Sequence, residues 1–243
     1  MKKLIALSIA AFAVTFVATL WFRLWPELTR PRYVDPAFRL VSPLELESIP
    51  TAGRFDFPLG SENGAISYNA QPFTKNHHLG DDLNGIGGED SDLGDPIYAI
   101  ADGRVLLARD GGPGWGNVVI VLHAYIENGA GGSRATSTNP ARVGEPAGEP
   151  INGERKYVQS YYGHVQTMLV HTGNNVRRGQ QIATVGTGGG RYFAHLHFKM
   201  REFITPFIGP GYRADTRGRL DPTAFIEAHR GAPEDDVGHA RMR

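Results

Sequence analysis

Two histidines lie one residue apart in the apolar segment RYFAHLHFKM, residues 191–200. On a β-strand, residues i and i+2 point to the same face, so His195 and His197 would project together while the apolar residues at the alternate positions cover the opposite face. Neutral imidazole is a common zinc ligand in proteins. The pair therefore indicates either a metal site or two solvated histidines on a half-exposed strand, and the choice depends on partners elsewhere in the chain.

The segment NHHLGDDLNG, residues 76–85, offers such partners. It contains two histidine–aspartate pairs with the same i, i+4 spacing, His77 with Asp81 and His78 with Asp82, and the spacing does not distinguish them. One such pair and one histidine of the H-x-H motif would make three protein ligands. Zinc with three protein ligands and an open fourth position is typical of catalytic sites, where the ion acidifies a water that can attack a carbonyl.

Other histidines and acids have less distinctive surroundings. His164 ends the alternating segment SYYGHV, residues 160–165, and beside a metal site it is a candidate to hold or polarise a substrate carbonyl. Four further histidines are predicted to be surface residues: His123, His171, His229 and His239. Four acids in a Gly-rich loop are predicted to be solvated, because their spacing does not match a calcium-binding loop: Glu89, Asp90, Asp92 and Asp95.

Composition excludes several classes of function. The chain has 243 residues, of which 41% are hydrophobic, so it can bury a sizeable core. Its 25 basic and 25 acidic residues give zero formal net charge, and no dense basic cluster suggests nucleic acid as a partner. The absence of cysteine excludes disulfides, thiolate zinc sites and cysteine nucleophiles. Any metal must therefore be held by His, Asp or Glu.

The N-terminus carries a membrane signal. Residues 4–22 are apolar or small, nearly the length of a bilayer-spanning helix, and Trp21 and Trp25 suit the membrane interface. We predict a membrane anchor over residues 1–25, with the two preceding lysines keeping the N-terminus in the cytoplasm and the rest of the chain outside. A cleaved signal peptide is the alternative. Residues 26–50 are rich in Pro and mixed charge, which favours a tether running away from the membrane.

The remaining chain has the pattern of a β-domain. Short β-branched and aromatic runs alternate with Gly-rich turns over residues 51–230, and a helical segment occurs only near the end, in DPTAFIEAHR. This pattern predicts an all-β fold with one short C-terminal helix. Residues 127–156 are rich in Gly, Pro, Ser and Asn and are predicted to form a long loop between two strands. Residues 231–243 are predicted to form a polar tail.

Taken together, the motifs resemble those of the lysostaphin-type (LytM-like) zinc metallopeptidases that cut peptidoglycan peptides. The resemblance runs from about residue 57 to residue 226 and rests on HLGDD at 78–82, DLGDPIYAIADGRV at 92–105, YYGHV at 161–165, GNNVRRGQQIATVGTGGG at 173–190, HLHF at 195–198 and DPTAFI at 221–226. It implies a compact antiparallel β-sandwich of the duplicated hybrid motif type and one Zn²⁺ per chain.

The resemblance also assigns roles. The family's first motif is H-x-G-x-D, so it implies His78, Asp82 and His197 as zinc ligands, with His164 and His195 as catalytic residues that do not bind the metal. Two further residues are predicted to contact the substrate, Tyr162 beside His164 and Lys199 beside the histidine pair. Family members commonly have Glu where this chain has Lys199, which is expected to change the charge at the edge of the cleft.

The expected function is therefore a zinc endopeptidase acting on peptidoglycan cross-bridges or stem peptides outside the cytoplasmic membrane. The alternative is a non-catalytic relative that binds the cell wall or activates an amidase. Every ligand position is filled, which favours the enzyme. A biotinyl- or lipoyl-type carrier is disfavoured because no hairpin with a modifiable lysine at its tip is found.

Overall fold

The computed structural model describes residue 19 and residues 41–60, 67–127 and 153–231. Except for Thr19, the predicted anchor lies outside the described residues. So do the polar tail after residue 231 and the middle of the predicted 127–156 loop. Within those residues, no helix is long and apolar enough to cross a membrane. The two strands that flank the predicted loop pair as far as Glu127 and Glu154, so the connection between them begins and ends close to the predicted limits.

The described fold is mostly antiparallel β-sheet, which confirms the predicted all-β class. Its strands are β1 (Thr51–Ala52), β2 (Ser67–Gln71), β3 (Asp81–Gly85), β4 (Pro96–Tyr98), β5 (Gly103–Asp110), β6 (Asn117–Glu127), β7 (Glu154–Met168), β8 (Asn175–Val176), β9 (Gln181–Val185), β10 (Leu196–Arg201) and β11 (Arg219–Leu220). The main path of the sheet runs β2-β3-β10-β7-β6-β5-β8, with β9 joined to β4 and β7. Only β1 pairs in parallel among the described strands, with β6.

Two short α-helices and one 3₁₀ turn complete the described elements: α1 (Pro43–Glu47), the turn Lys75–His77 and α2 (Pro222–His229). Helix α2 is the predicted C-terminal helix. The Asp221 side chain accepts a hydrogen bond from the backbone N–H of Ala224, and Pro222 follows at the first helical position. Both features are typical of a helix start.

Strand β10 lies inside the sheet between β3 and β7 and is buried along its whole length. Leu196, Phe198 and Met200 point into the main hydrophobic core, as the alternation predicts. The opposite face carries His197, Lys199 and Arg201, and it is buried as well. We call this second side the histidine face of β10.

Residues 41–50 differ from the predicted tether over 26–50, because they pack on the domain. Ser42 and Glu45 form a reciprocal capping box that begins α1, with Glu45 N–H donating to Ser42 Oγ and Ser42 N–H donating to Glu45 Oε2. Ile49 is buried against apolar side chains of β6. Apolar residues spaced a few positions apart pack this segment onto the β-domain despite its prolines.

Two polar residues predicted at the surface are buried instead. His123 lies inside the fold, with Nδ1–H donating to the Asp102 carbonyl (2.8 Å) and Nε2 lying 2.7 Å from Ser160 Oγ. Asp92 is buried because its carboxylate accepts a hydrogen bond from the backbone N–H of Gly85 (2.8 Å). In both cases a hydrogen bond to the backbone offsets the free-energy cost of losing water. The residue type alone does not indicate that such a partner is present.

The remaining histidines and loop acids that are predicted to be surface residues have mixed outcomes. His171 is exposed, as predicted, and His239 lies outside the described residues. His229 is half-buried, stacked on Phe225 with ring centroids 4.1 Å apart. Three acids of the predicted loop are exposed, namely Glu89, Asp90 and Asp95.

Candidate metal centre

Strand register brings one carboxylate and two imidazoles together. His197 on β10 lies directly opposite Asp82 on β3, and His78 lies three residues before β3 begins. His197 Nδ1 is 2.8 Å from Asp82 Oδ1 and 3.0 Å from His78 Nε2, while His78 Nε2 is 3.3 Å from Asp82 Oδ1. One nitrogen or oxygen of each residue thus converges on a common point, and this is the group of side chains among the described residues that could hold a metal ion.

The hydrogen bonds of His78 and the charge state of His197 fit metal ligation. His78 Nδ1–H donates to the Gln71 carbonyl (3.0 Å), which leaves the lone pair of Nε2 facing the cluster. A histidine that binds a metal through one nitrogen usually donates from the other to such a partner. Burial lowers the pKa of His197 to about 3, although its hydrogen bond to Asp82 opposes the shift, so the ring is neutral at pH 7 as a ligand must be.

Asp82 is ionised in the same cluster. Burial by itself would raise the pKa of Asp82, but its contacts with His197 and His78 outweigh burial and hold that pKa well below its usual range. His197 Nε2 is buried and has no hydrogen-bond partner in the described part of the chain, which costs about 1–3 kcal/mol. A cation on Nδ1 would leave the ring proton on Nε2, which would still lack an acceptor among the described residues. Two neutral imidazoles and a carboxylate are donors that zinc favours.

The structure distinguishes the two histidine–aspartate pairs that spacing left open. His77 is exposed, and Asp81 points away from the cluster. Asp81 Oδ1 accepts a hydrogen bond from the backbone N–H of Phe73 (2.9 Å), and Oδ2 accepts from the backbone N–H and hydroxyl of Thr223 (3.2 and 2.7 Å). Asp81 therefore fastens β3 to the preceding loop and to α2, while His78 and Asp82 face the cluster.

The backbone before His78 is in an unusual conformation. Thr74, Asn76 and His77 all have positive φ angles, of 69°, 54° and 63°. Such angles are uncommon outside glycine and cost on the order of 1 kcal/mol each, most of all for a β-branched residue such as Thr74. The turn is closed by the backbone N–H of Thr74 donating to the His78 carbonyl (2.9 Å). This tight turn presents the His78 ring to the cluster.

Gly80 allows the two ligand-bearing strands to approach closely. A Cβ at this position would lie 2.4 Å from the carbonyl oxygen of Phe198 and 2.7 Å from Cγ of Lys199. Backbone atoms cannot move aside as the end of a side chain can, so any larger residue would push β3 away from β10. The glycine of the H-x-G-x-D motif thus has a steric role in forming the cluster.

His195 and His164 lie beside the three converging atoms. His195 Nε2 is 3.6 Å from Asp82 Oδ1, and its Nδ1–H donates to the Phe193 carbonyl (2.7 Å). His164 Nδ1–H donates to the Trp115 carbonyl (3.2 Å), and the ring centroids of the two histidines are 4.8 Å apart. In both rings Nδ1 carries the proton, because a carbonyl can only accept, so Nε2 is the nitrogen available to accept a proton.

His164 reaches this position through a local irregularity in β7. Strict alternation would place it on the same side as Tyr162, inside the core. Instead, His164 has a φ of 60° and the pairing of β7 with β9 shifts register just after it. The His164 ring therefore lies on the same side of the sheet as the histidine face of β10, where it stacks on Trp115. Burial lowers the pKa of His164 to about 4, with repulsion from His195 adding to the shift, so the ring is neutral at pH 7.

The two residues that are predicted to contact the substrate are both buried. Tyr162 is fully buried in the core, packed on Phe198, and its hydroxyl accepts a hydrogen bond from the backbone N–H of Ile100 (3.1 Å). Lys199 does share a face with His197, but it is fully buried and so does not lie at the edge of a cleft.

Lys199 is buried because aromatic rings and backbone carbonyls receive its ammonium group. Nζ lies 3.8 Å from the ring centroid of Tyr161 and 4.3 Å from that of Trp115. It also donates to the carbonyls of Ile208 and Pro210 at 3.3 and 3.4 Å. Burial lowers the pKa of Lys199 well below its usual value, and Arg201 and Arg219 lower it further.

Sequence reasoning missed three aromatic residues around the cluster. Trp115 packs against the rings of His164 and His197. Tyr192 and Tyr212 are half-exposed on opposite sides, with Tyr192 4.8 Å from the His164 ring and Tyr212 5.0 Å from the His78 ring. Trp115 and Tyr192 each lie in a Gly-rich turn, GGPGWGN and GTGGGRY, and a large aromatic residue in such a turn was the available signal.

Comparisons with known proteins show which proteins this chain is similar to. A family model described as peptidase family M23 matches residues 149–208. The chain is 35% identical over 109 residues to murein hydrolase activator EnvC of Escherichia coli (strain K12), covering 45% of this chain and 18% of that protein. It is 31% identical over 108 residues to lipoprotein NlpD of Yersinia enterocolitica, covering 44% of this chain and 78% of that protein. The chain thus spans under a fifth of EnvC and about three quarters of this NlpD.

Among solved structures, a zinc-containing peptidase from Vibrio cholerae is similar to this chain. The similarity covers 62% of this chain and 37% of the Vibrio cholerae chain. The identity is 21% and the TM-score is 0.41.

Proposed function

The chain belongs to peptidase family M23, and we propose that its β-domain is a zinc-dependent endopeptidase that hydrolyses peptide bonds in peptidoglycan cross-bridges or stem peptides. The observation that carries this proposal is the convergence of His78 Nε2, Asp82 Oδ1 and His197 Nδ1, with two further histidines beside them. Three ligands leave room for a water or a carbonyl oxygen in the metal's coordination, as hydrolysis requires.

In this proposal His78, Asp82 and His197 hold one Zn²⁺. Bound there, the ion supplies Lewis acidity toward a water and the scissile carbonyl. Asp82 contributes negative charge, and the two histidines contribute neutral nitrogen donors. The hydrogen bond from His78 to the Gln71 carbonyl keeps that ring oriented, which supports a preformed metal site.

The two remaining histidines are proposed to handle the proton. Because Nδ1–H of His195 and of His164 is engaged by a backbone carbonyl, Nε2 of each ring accepts hydrogen bonds. Either Nε2 can therefore orient a water and take its proton as the water attacks the carbonyl. Once protonated, the same Nε2–H becomes a donor that can stabilise the developing oxyanion or protonate the leaving amine.

The proposed setting is the cell envelope, outside the cytoplasmic membrane, with residues 1–25 as the membrane anchor. Peptidoglycan lies in this compartment, which is consistent with the family. The compact sandwich of the duplicated hybrid motif type is part of the same proposal. The observed antiparallel pairing of β3, β10, β7 and β6 supports it.

A second candidate function is activation of another wall hydrolase without catalysis by this chain. The observation in its favour is that a similar protein, EnvC, is named a murein hydrolase activator. The complete set of ligand and proton-transfer residues favours the enzyme, because a binding module has no need for His195 or His164. Zinc content and cleavage must be measured together to separate the two functions.

The test uses the purified full-length chain with Zn²⁺, incubated with sacculi of different cross-link chemistry, and identifies the released peptides. We expect new peptide ends with the wild type and with His171→Ala, a matched control at an exposed histidine. His197→Ala should lose zinc and activity together. His195→Ala should keep zinc under mild chelation and lose about 100-fold or more in turnover. No cleavage of any wall type by the zinc-loaded wild type would favour the activator.

A further inference from the structure

Two arginines lie opposite each other across the pairing of β10 with β11. Arg201 pairs with Arg219 in the antiparallel register, a position where like charges repel. Arg201 is 1% exposed, and although Nη1 donates to the Phe207 carbonyl (2.6 Å), Nε and Nη2 are buried without an acceptor among the described residues. Nη1 of Arg219 is in the same situation. Three guanidinium nitrogens therefore lack a hydrogen-bond acceptor within the described fold.

Among the described residues, no carboxylate forms an ion pair with Arg201 or Arg219, although the charge of Asp215 attracts Arg219 and Arg213. The nearby acid, Asp215, is held by Arg217 through two hydrogen bonds, from Nε to Oδ1 (3.0 Å) and from Nη2 to Oδ2 (2.8 Å). Burial lowers the pKa of Arg201 to about 10, and repulsion from Arg219 contributes. Burial also lowers the pKa of Arg219, and Arg213 contributes by repulsion. Arg219 thus lies near both Arg201 and Arg213, and we call these three residues the arginine row.

The arginine row begins at the candidate metal centre. The backbone N–H of Arg213 donates to the His77 carbonyl (2.8 Å), and the preceding residue, Tyr212, lies against His78. Arg213 is exposed and Arg219 is half-buried, so the row runs from solvent toward the buried Arg201. Because Arg213 lies at the metal end of the row and is exposed, a ligand bound at the metal can also meet this end of the row.

We propose that Arg213 and Arg219 form a subsite for a carboxylate group of the peptide substrate, with Arg201 adding positive charge behind them. This inference rests on the proposed function, since the substrate must lie across the metal centre. Guanidinium groups bind carboxylates through paired, charge-assisted hydrogen bonds, and an anion here would supply the missing counter-charge. Wall peptides carry free carboxylates on side chains and at their ends, which suits a subsite next to the bond that is cut.

The test compares two synthetic wall peptides that differ only in a carboxylate or a carboxamide beside the scissile bond. The wild type should cleave the carboxylate form with about tenfold higher kcat/KM, the effect of one charge-assisted hydrogen bond at a partly exposed site. Arg213→Gln and Arg219→Gln should each reduce this preference, because they should lower kcat/KM for the carboxylate form more than for the carboxamide form. The matched control, Arg177→Gln, alters an exposed arginine at the turn before β9 and should keep the full preference.

A charge-gain variant guards against loss of folding as an explanation. Asp215→Asn releases Arg217 and should increase the preference for the carboxylate peptide above that of the wild type. Equal cleavage of the two peptides by the wild type, or a preference unaffected by both arginine substitutions, would overturn the proposal.

Equilibrium binding of the same two peptides to the zinc-loaded protein separates this proposal from the enzymatic one. If the chain does not hydrolyse peptides, a binding preference for the carboxylate form that Arg219→Gln removes still supports the subsite. Binding that is insensitive to the amide change but is competed by a phosphodiester polymer contradicts it, because the row would then serve a phosphate-rich partner.

Discussion

Asp81 and Asp82 are adjacent carboxylates for which the structure predicts opposite consequences of the same change. Asp81 is 1% exposed and accepts three hydrogen bonds that join β3 to Phe73 and to Thr223. Asp82 makes its contacts within the metal cluster, to His197 and His78. We predict that Asp81→Asn destabilises the fold and that Asp82→Asn removes the metal.

The magnitude for Asp81→Asn follows from its partners. An amide has one oxygen, so in either orientation its NH₂ group meets at least one N–H that formerly donated to the carboxylate. A hydrogen bond to a charged acceptor contributes about 1.5–3 kcal/mol, and the remaining bonds weaken when the charge is lost. We therefore expect a loss of about 3 kcal/mol in the free energy of unfolding. Asp82→Asn weakens one histidine contact in the metal-free protein, which should cost about 1 kcal/mol.

The assay is chemical denaturation of both variants in the presence of a chelator, followed by zinc analysis after reloading and mild chelation. Asp81→Asn should unfold at lower denaturant concentration and hold zinc when folded, while Asp82→Asn should show the reverse. Thr223→Val tests the mechanism, because its effect on stability should be much smaller in the Asp81→Asn background. Zinc loss by Asp81→Asn at full stability, or zinc retention by Asp82→Asn, would refute this reasoning.

Three further predictions concern packing and titration. Gly80→Ala should cost about 3 kcal/mol in unfolding free energy and weaken zinc retention, because its Cβ would meet the Phe198 carbonyl at 2.4 Å; unchanged zinc retention contradicts this. Burial lowers the pKa of His123 to about 4, so its contribution to stability is complete above about pH 6.5 and is lost as pH falls toward 4. Between pH 8 and pH 5 this loss is about 2 kcal/mol of unfolding free energy. The unfolding free energy of His123→Gln, measured at both pH values, should therefore change by about 2 kcal/mol less than that of the wild type. Tyr162→Phe should cost about 1 kcal/mol, because Ile100 N–H loses its acceptor, yet leave peptide cleavage intact; a large activity loss at full stability would restore Tyr162 to the site.

The histidine pair and the class of fold could be predicted from the sequence because they depend on local spacing. Alternation along residues 195–201 determines that His195 and His197 share a face, and short strands between Gly-rich turns indicate an all-β domain. The helix start at Asp221 is equally local. The candidate ligands His78 and Asp82 required the family resemblance, because two identical spacings competed.

Only the tertiary structure decided the rest, since it depends on register, burial and backbone conformations that residue types do not specify. Pairing of β3 with β10 brings Asp82 opposite His197 and turns Asp81 toward α2. A positive φ angle at His164, which a non-glycine residue seldom adopts, moves its ring out of the core side.

Burial of the remaining polar groups depended on partners distant in sequence. Lys199 is buried because aromatic rings and the carbonyls of Ile208 and Pro210 receive its ammonium group. The pairing of Arg201 with Arg219 arises from β11, which joins the sheet eighteen residues later in the chain. Alternation shows which residues share a face, but only the packed neighbours determine whether that face meets water, a ligand or the core.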